Sequence, residues 1–449
     1  MSFLEGLLAG RSHLAVLLGL GVAAAIIGAV GGVGARSSPQ TPLAAIAPPE
    51  GELPLRGRGP LDARERALAA AAWSYVVRNT DATTGLTASV RAHPSTTLWD
   101  LGSQLLAVIA AEDLGLVSRE EGRAAIARAL RTLGRLPLGE GRLPNKAYDT
   151  RTLAMVRYDG TPAPGGVGWS ALDVSRLLLA LSVAAWRHPE LTPLARRAVS
   201  RWDLAALSDG ASLRGGARGP GGALSIEQEG RLGYEQYAAK ALLPWGVPAS
   251  TALDYRAHLA FAHVHGQTVP RDARDPRDHG GTPAALVPEP WLLDALERGF
   301  DAVTLPVARA ILRAQERRHR AVGRITAVSE DALDRAPWFA WSAIVNGADT
   351  WTALGPDGRR AEGALTFSTK AAVAWGVLFE GEYPERLLAE AARLVVPGEG
   401  LHAGRYDATW EVNRALSLNT NAVVLEALAY RVRGPVLRAS GSGAEEERP

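Results

Sequence analysis

Aromatic and polar side chains recur at six expected helix starts in this sequence, four of them pairing a carboxylate with an aromatic ring: Trp99 and Asp100 in STTLWDLGS, Trp169 and Asp173 in GVGWSALDVS, Glu229, Tyr234 and Glu235 in QEGRLGYEQYAAK, and Glu289 and Trp291 in VPEPWLL. The other two are Phe367 to Lys370 in FSTK and Asn419 with Asn421 in SLNTNAV. Carboxyl groups brought together in this way can do acid–base work, one giving up a proton while another takes one or attacks. Aromatic faces stack on sugar C–H surfaces, and Asn, Asp and Lys bond hydroxyls, so the mixture suits a carbohydrate better than a nucleotide.

A pair of carboxyl groups is the usual machinery for cutting a glycosidic bond. Glu229 is the first candidate for the acid, because Tyr234 and Leu232 can desolvate it and raise its pKa, although the helix dipole at its position favours the charged form. Asp100 is the first candidate for the base, with Glu289 and Glu330 (AVSEDALD) as competitors. Each residue also has a plainer reading. First-turn acids cap helices, contributing about 0.3–1 kcal/mol; Asp173 can bridge to Arg176, Asn419 can be a cap, Glu426 can pair with a buried arginine, and Lys370 with one of the acids at the same helix starts. The weight lies in the recurrence across six helix starts.

Other chemistries are excluded or disfavoured. There is no cysteine, so no disulfide framework, thiolate metal site or cysteine nucleophile. No P-loop, dinucleotide fingerprint or HExxH motif occurs, and no metal or cofactor is expected. Lysine plus arginine number 49 against 47 acids, a net charge of +2 with no long basic block, which argues against nucleic acid as a partner. In PRDARDPRDHGG, alternating arginines neutralise Asp272, Asp275 and Asp278, so a solvated loop is expected in place of a calcium site.

Helix-period apolar segments recur near 62–79, 96–113, 119–134, 169–187, 192–206, 231–245, 250–264, 289–299, 304–319, 367–380, 383–396 and 419–432. Some are arginine-studded and others apolar nearly all round, which implies an outer and an inner ring. The expected fold is all-α: an (α/α)6 toroid of about twelve helices, spanning 61–435, with long loops gathered on one face. Ahead of it lie an N-terminal flank (1–11), an uncharged apolar run at 12–35 and a Pro-rich linker at 36–60; a disordered tail is expected at 436–449. The run is long enough to cross a hydrocarbon core of about 30 Å, so it is read as a transmembrane anchor or signal segment, with the body exported to the periplasm or beyond.

Nine segments in order, among them AWSYVVRNTDATTGL, TTLWDLGSQLLA, LPLGEGRLPNKAYDT, QEGRLGYEQYAAK, AVSEDALDRAPWFAW and GLHAGRYDATWEVNRALSLNTNAVVLEALAYRVRG, resemble a bacterial envelope family, domain of unknown function 3131, over about residues 68–435. That family is related to glucoamylase-like (α/α)6 proteins, which include enzymes acting on β-1,2-glucan. The resemblance implies a toroid working on an envelope or extracellular glucan, and it marks Trp99, Asp100, Asp173, Glu229, Arg231, Tyr234, Glu235, Glu289, Glu330, Asp331, Asn419 and Asn421. The chain departs from the family pattern at Pro288, where a serine is expected. Two rivals to hydrolysis are a non-catalytic glycan-binding or polysaccharide-assembly protein and a polysaccharide lyase. A lyase acting on uronic acids would need a cationic groove, whereas these helix starts are more acidic than basic.

Overall fold

The computed structural model describes residues 53–437 apart from 220, 280 and 281. The flank, the apolar run 12–35, most of the linker and the tail beyond 437 lie outside the described residues. Among the described residues no helix is long and apolar enough to cross a membrane, so the fold is corrected on that point: the transmembrane helix expected as part of it is not found there. The all-α class is corrected too. The structure is mixed, 44% helical and 21% strand, with several small sheets.

Among the described residues, six helices make up the interior: α2 (Leu98–Asp113), α4 (Ala171–Arg187), α6 (Tyr234–Leu242), α7 (Glu289–Arg298), α9 (Thr369–Leu378) and α11 (Leu418–Arg433). Each packs on the next, and α11 returns to α2, closing a ring. The sequence dictates this placement. α2 buries every residue from Leu98 to Ala111 and α9 all ten of its own, and a helix with no polar stripe has no face to give to water. Around the ring lie α1 (Ala63–Asn79), α3 (Arg119–Leu133), α5 (Thr192–Val199), α8 (Thr304–Val322) and α10 (Glu382–Ala392). These helices bury one side and expose charged residues on the other. The position between α6 and α7, expected as a helix over 250–264, holds short 3-10 turns and an antiparallel hairpin, Leu259–Val264 with Gln267–Asp272. His265 and Gly266, both at positive φ (46° and 74°), make its two-residue turn, the geometry that suits the twist of paired strands.

The remaining strands lie in the connections that enter the interior helices. Ser95–Thr97 runs into α2, Thr366–Ser368 into α9 and Val412–Leu416 toward α11, while Leu224–Gln228 precedes α6 and Ala285–Leu286 precedes α7. At three of these entries a hydroxyl caps the helix. Thr97 accepts the Asp100 N–H at 3.0 Å, Ser170 the Asp173 N–H at 3.0 Å and Ser417 the Thr420 N–H at 3.2 Å. Asp100 and Asp173 therefore occupy the same place, three residues past a cap, on neighbouring helices.

Candidate active site

The helix entries bring two groups of carboxylates together. The first group comes from α2, α4 and the strand before α6. Glu229 Oε2 accepts the Ala171 N–H at 2.5 Å; burial raises its pKa and Lys146 opposes the rise. The Asp173 carboxyl is pushed up to about 8, first by burial and then by the charge of Glu229, against the pull of Lys146. Two half-buried acids facing one lysine cannot both ionise at little cost; Asp173 is pushed up further by the charge of Glu229, while Ser170 and the backbone N–H groups of Ala171 and Leu172 oppose the rise at Glu229. Asp100 lies deeper, 8% exposed. Its Oδ2 accepts hydroxyl hydrogens from Ser89 at 2.5 Å and Thr97 at 2.8 Å. Burial raises its pKa, while these hydroxyls, Lys370 and Arg176 work toward the ionised form. Tyr158, 59% exposed, stands within charge range of Asp173 and Glu229.

The second group is built on α7, α9 and the strand Glu330–Ala332. Lys370 Nζ donates to Glu289 Oε1 at 2.7 Å, and Ser329 Oγ donates to Glu289 Oε2 at 2.5 Å. Burial works against the Lys370 ammonium, but Glu289, Glu330 and Asp331 outweigh it and hold its pKa above the lysine range. Glu330 accepts the Tyr234 hydroxyl; burial and the nearby Glu289 push it up to about 7. Asp331 accepts from Thr366 Oγ1 at 2.8 Å and Ser368 Oγ at 2.9 Å and is raised by burial to about 6. Beneath both groups, fully buried Arg176 donates to Glu297 at 2.6 Å, Tyr237 at 2.8 Å, Glu426 at 2.8 Å and Ser103 at 2.9 Å, and lies 5.0 Å from the centre of the Trp99 ring.

Asp100, Asp173, Glu229, Tyr234, Glu289, Glu330, Asp331 and Lys370 are thus brought together, with Trp99 packed against Tyr234 at 6.3 Å. Other expected residues serve the scaffold. Trp169 is 1% exposed and donates to the Arg214 carbonyl at 3.3 Å. Trp291 is 2% exposed and stacks on Tyr255. Glu235 is held by both ends of the Arg274 guanidinium at 3.0 and 2.6 Å. Arg231 ties down the carbonyls of His279 and Thr282. Asn421 accepts the Leu401 N–H at 2.9 Å, whereas Asn419 Oδ1 has no partner among the described residues. Asp173 does not bridge to Arg176, whose donors are taken elsewhere. Lys146 and Tyr158 escaped the sequence reading. Lys146 is one of only three lysines in an arginine-dominated chain, and that rarity was the available signal.

Among curated proteins, none matches the sequence. Solved structures do resemble the fold. A glucoamylase candidate from Bacteroides caccae gives a TM-score of 0.57 at 14% identity, covering 84% of this chain and 94% of that one. The endo-β-1,2-glucanase of Chitinophaga pinensis, with sophorotriose and glucose, gives 0.56 at 10% identity, covering 84% and 94%. A variant endo-β-1,2-glucanase of Talaromyces funiculosus with β-1,2-glucan gives 0.55 at 11% identity, covering 83% and 84%. At these identities the likeness is one of fold, here glucoamylase-like. The family model for the protein of unknown function DUF3131 matches residues 67–434, and the chain belongs to that family.

Proposed function

We propose that this chain is a glycoside hydrolase acting on a glucan. The observation that carries the reading is the placement of Asp173 and Glu229 within charge range of each other and of Lys146, where burial and the neighbouring carboxylate push Asp173 up to about 8, beside the exposed Tyr158. A retained proton is what a leaving glycosidic oxygen needs, and a second carboxylate nearby completes the minimum machinery. In this reading Asp173 and Glu229 hold the proton for the leaving oxygen. Asp100, drawn toward its ionised form by Ser89, Thr97 and Lys370, activates the water. Glu289 is excluded from the chemistry by its bond to Lys370 and serves to hold that lysine. The fold likeness to endo-β-1,2-glucanases makes β-1,2-glucan the first substrate to try. A purely glycan-binding role is disfavoured because, among the described residues, no side-chain salt bridge occupies Asp173 or Glu229, unlike Glu235 and Glu289.

The test is the appearance of new reducing ends from β-1,2-, β-1,3-, β-1,4- and α-glucans. Activity on one of them is expected to fall by about 10²–10⁴-fold in Glu229→Gln, Asp173→Asn and Asp100→Asn with folding intact. Silence of the parent on the whole panel sinks the proposal. We also place the body outside the cytoplasm on the strength of the apolar run 12–35; a reporter fused after residue 60 that stays active only in the cytoplasm contradicts this.

A further inference from the structure

The strand Glu330–Ala332 pairs antiparallel with Phe339–Asn346, setting Glu330 opposite Trp341 and Ala332 opposite Phe339. Residues directly opposite in such a pair share a face of the sheet, with Cβ atoms about 5 Å apart. Trp341 and Phe339 therefore lie on the face that carries the Glu330 carboxyl, while Asp331 and Ala340 alternate to the other, where Asp331 meets Thr366 and Ser368. The two rings are half-buried and pack edge to face on each other, 5.2 Å between centres at 83°. Neither belongs to the apolar side chains packed on the hydrophobic core.

Trp338 immediately precedes Phe339 in the loop that joins the two strands. It is 66% exposed and held at φ 70° by the bonds Trp338 N–H to Arg335 O and Leu333 N–H to Trp338 O, both 2.9 Å. Positive φ is costly for a bulky residue, and glycine or asparagine would fill the turn with less strain. A tryptophan there, 66% exposed, gains little from burial. Most of its ring surface is open to a ligand.

We propose that Trp341, Phe339 and Trp338 form a sugar-stacking strip that leads away from Glu330 and binds successive units of a glucan chain, with Tyr158 at the other carboxylate group, so that the cleft takes an internal stretch of polymer. The inference rests on the hydrolase reading. The Trp341 and Phe339 ring centres stand 5.2 Å apart, on the scale of one sugar unit. Aromatic faces meet the C–H faces of a pyranose without sequence-like specificity, so the strip binds along the chain while the carboxylates select the bond. Trp338, Phe339 and Trp341 are therefore binding residues, and none touches the reacting atoms.

The test compares the parent full chain with Trp341→Ala, Trp341→Phe and Trp338→Ala, on soluble β-1,2-glucan polymer and on the shortest β-1,2-oligosaccharide the parent cuts. For Trp341→Ala the KM on polymer is expected to rise about tenfold with kcat little changed, while the short substrate is cut as before and Trp341→Phe recovers most of the loss. Trp338→Ala, altering only an exposed loop side chain, is expected to show the same split more weakly. Equal losses on both substrates, or no change in either variant, overturns the strip. Retardation of each variant in a gel containing the glucan reads binding apart from catalysis. A parent that binds without cutting, with retardation lost in Trp341→Ala, retains the strip and refutes the hydrolase. A parent that neither binds nor cuts refutes both.

Discussion

Asp173 shows how one residue's environment sets both stability and chemistry. Its carboxyl titrates at about 8 in the folded chain, well above the usual value of about 3.9. A pKa raised by folding contributes stability that is complete below the unfolded value and is lost as pH rises through the folded one. Asp173→Asn is therefore expected to gain stability over the parent as pH rises from 4 to 8, by up to about 5 kcal/mol for a rise of about four in pKa, read from denaturant unfolding at the two pH values. An advantage that shrinks with pH contradicts the assignment. Lys370 and Glu289, fully buried partners, predict the opposite kind of effect. Lys370→Met alone leaves a carboxylate uncompensated and is expected to cost about 3–5 kcal/mol, and Lys370→Met with Glu289→Gln recovers much of that; additive losses in the double variant contradict the pairing. That Lys370 pairs with an acid and Glu426 with an arginine was readable in the sequence, because a charge in an apolar helix must find a partner; that the arginine is Arg176, the expected partner of Asp173, was not. The burial of Trp169 and Trp291 was not readable, since a tryptophan at a helix start looks the same whether it faces a cleft or a core.

At the scale of elements, long periodic helices were the readable part. The segments expected at 96–113, 169–187, 289–299 and 419–432 all contain helices within a few residues of the expected bounds. Many strands were missed for a physical reason: those running directly into the interior helices are two to five residues long, too short for a period of two to stand out, while the longer Phe339–Asn346 lay in a segment read as a connection. The 250–264 segment was misread because LAFAHV is alanine-rich and apolar, and the turn signal His265–Gly266 lies just beyond it. Close packing between elements gives a further prediction. A Cβ at Gly376 in α9 would stand 2.2 Å from Leu388 Cγ in α10. Gly376→Ala is expected to destabilise the chain by about 1–3 kcal/mol despite the better helix propensity of alanine, measured as a lowered unfolding midpoint. An unchanged or higher midpoint contradicts the tight approach of the two helices.

For the whole molecule, the closed ring explains why residues hundreds of positions apart meet: Asp100, Asp173, Glu229 and Lys370 each enter at the head of, or just before, a different interior helix. It also separates binding from structure, because the ring's interior is filled by Arg176 and its partners, leaving the strand-bearing end to hold a ligand. The most direct measurement follows reducing-end release from β-1,2-glucan between pH 5 and 9, for the parent and for Asp173→Asn and Glu229→Gln. The account predicts parent activity that falls on the alkaline side near pH 8 as the retained proton is lost, and loss of activity in both variants. Activity that survives in both variants, or an alkaline limb unchanged by Asp173→Asn, would contradict it.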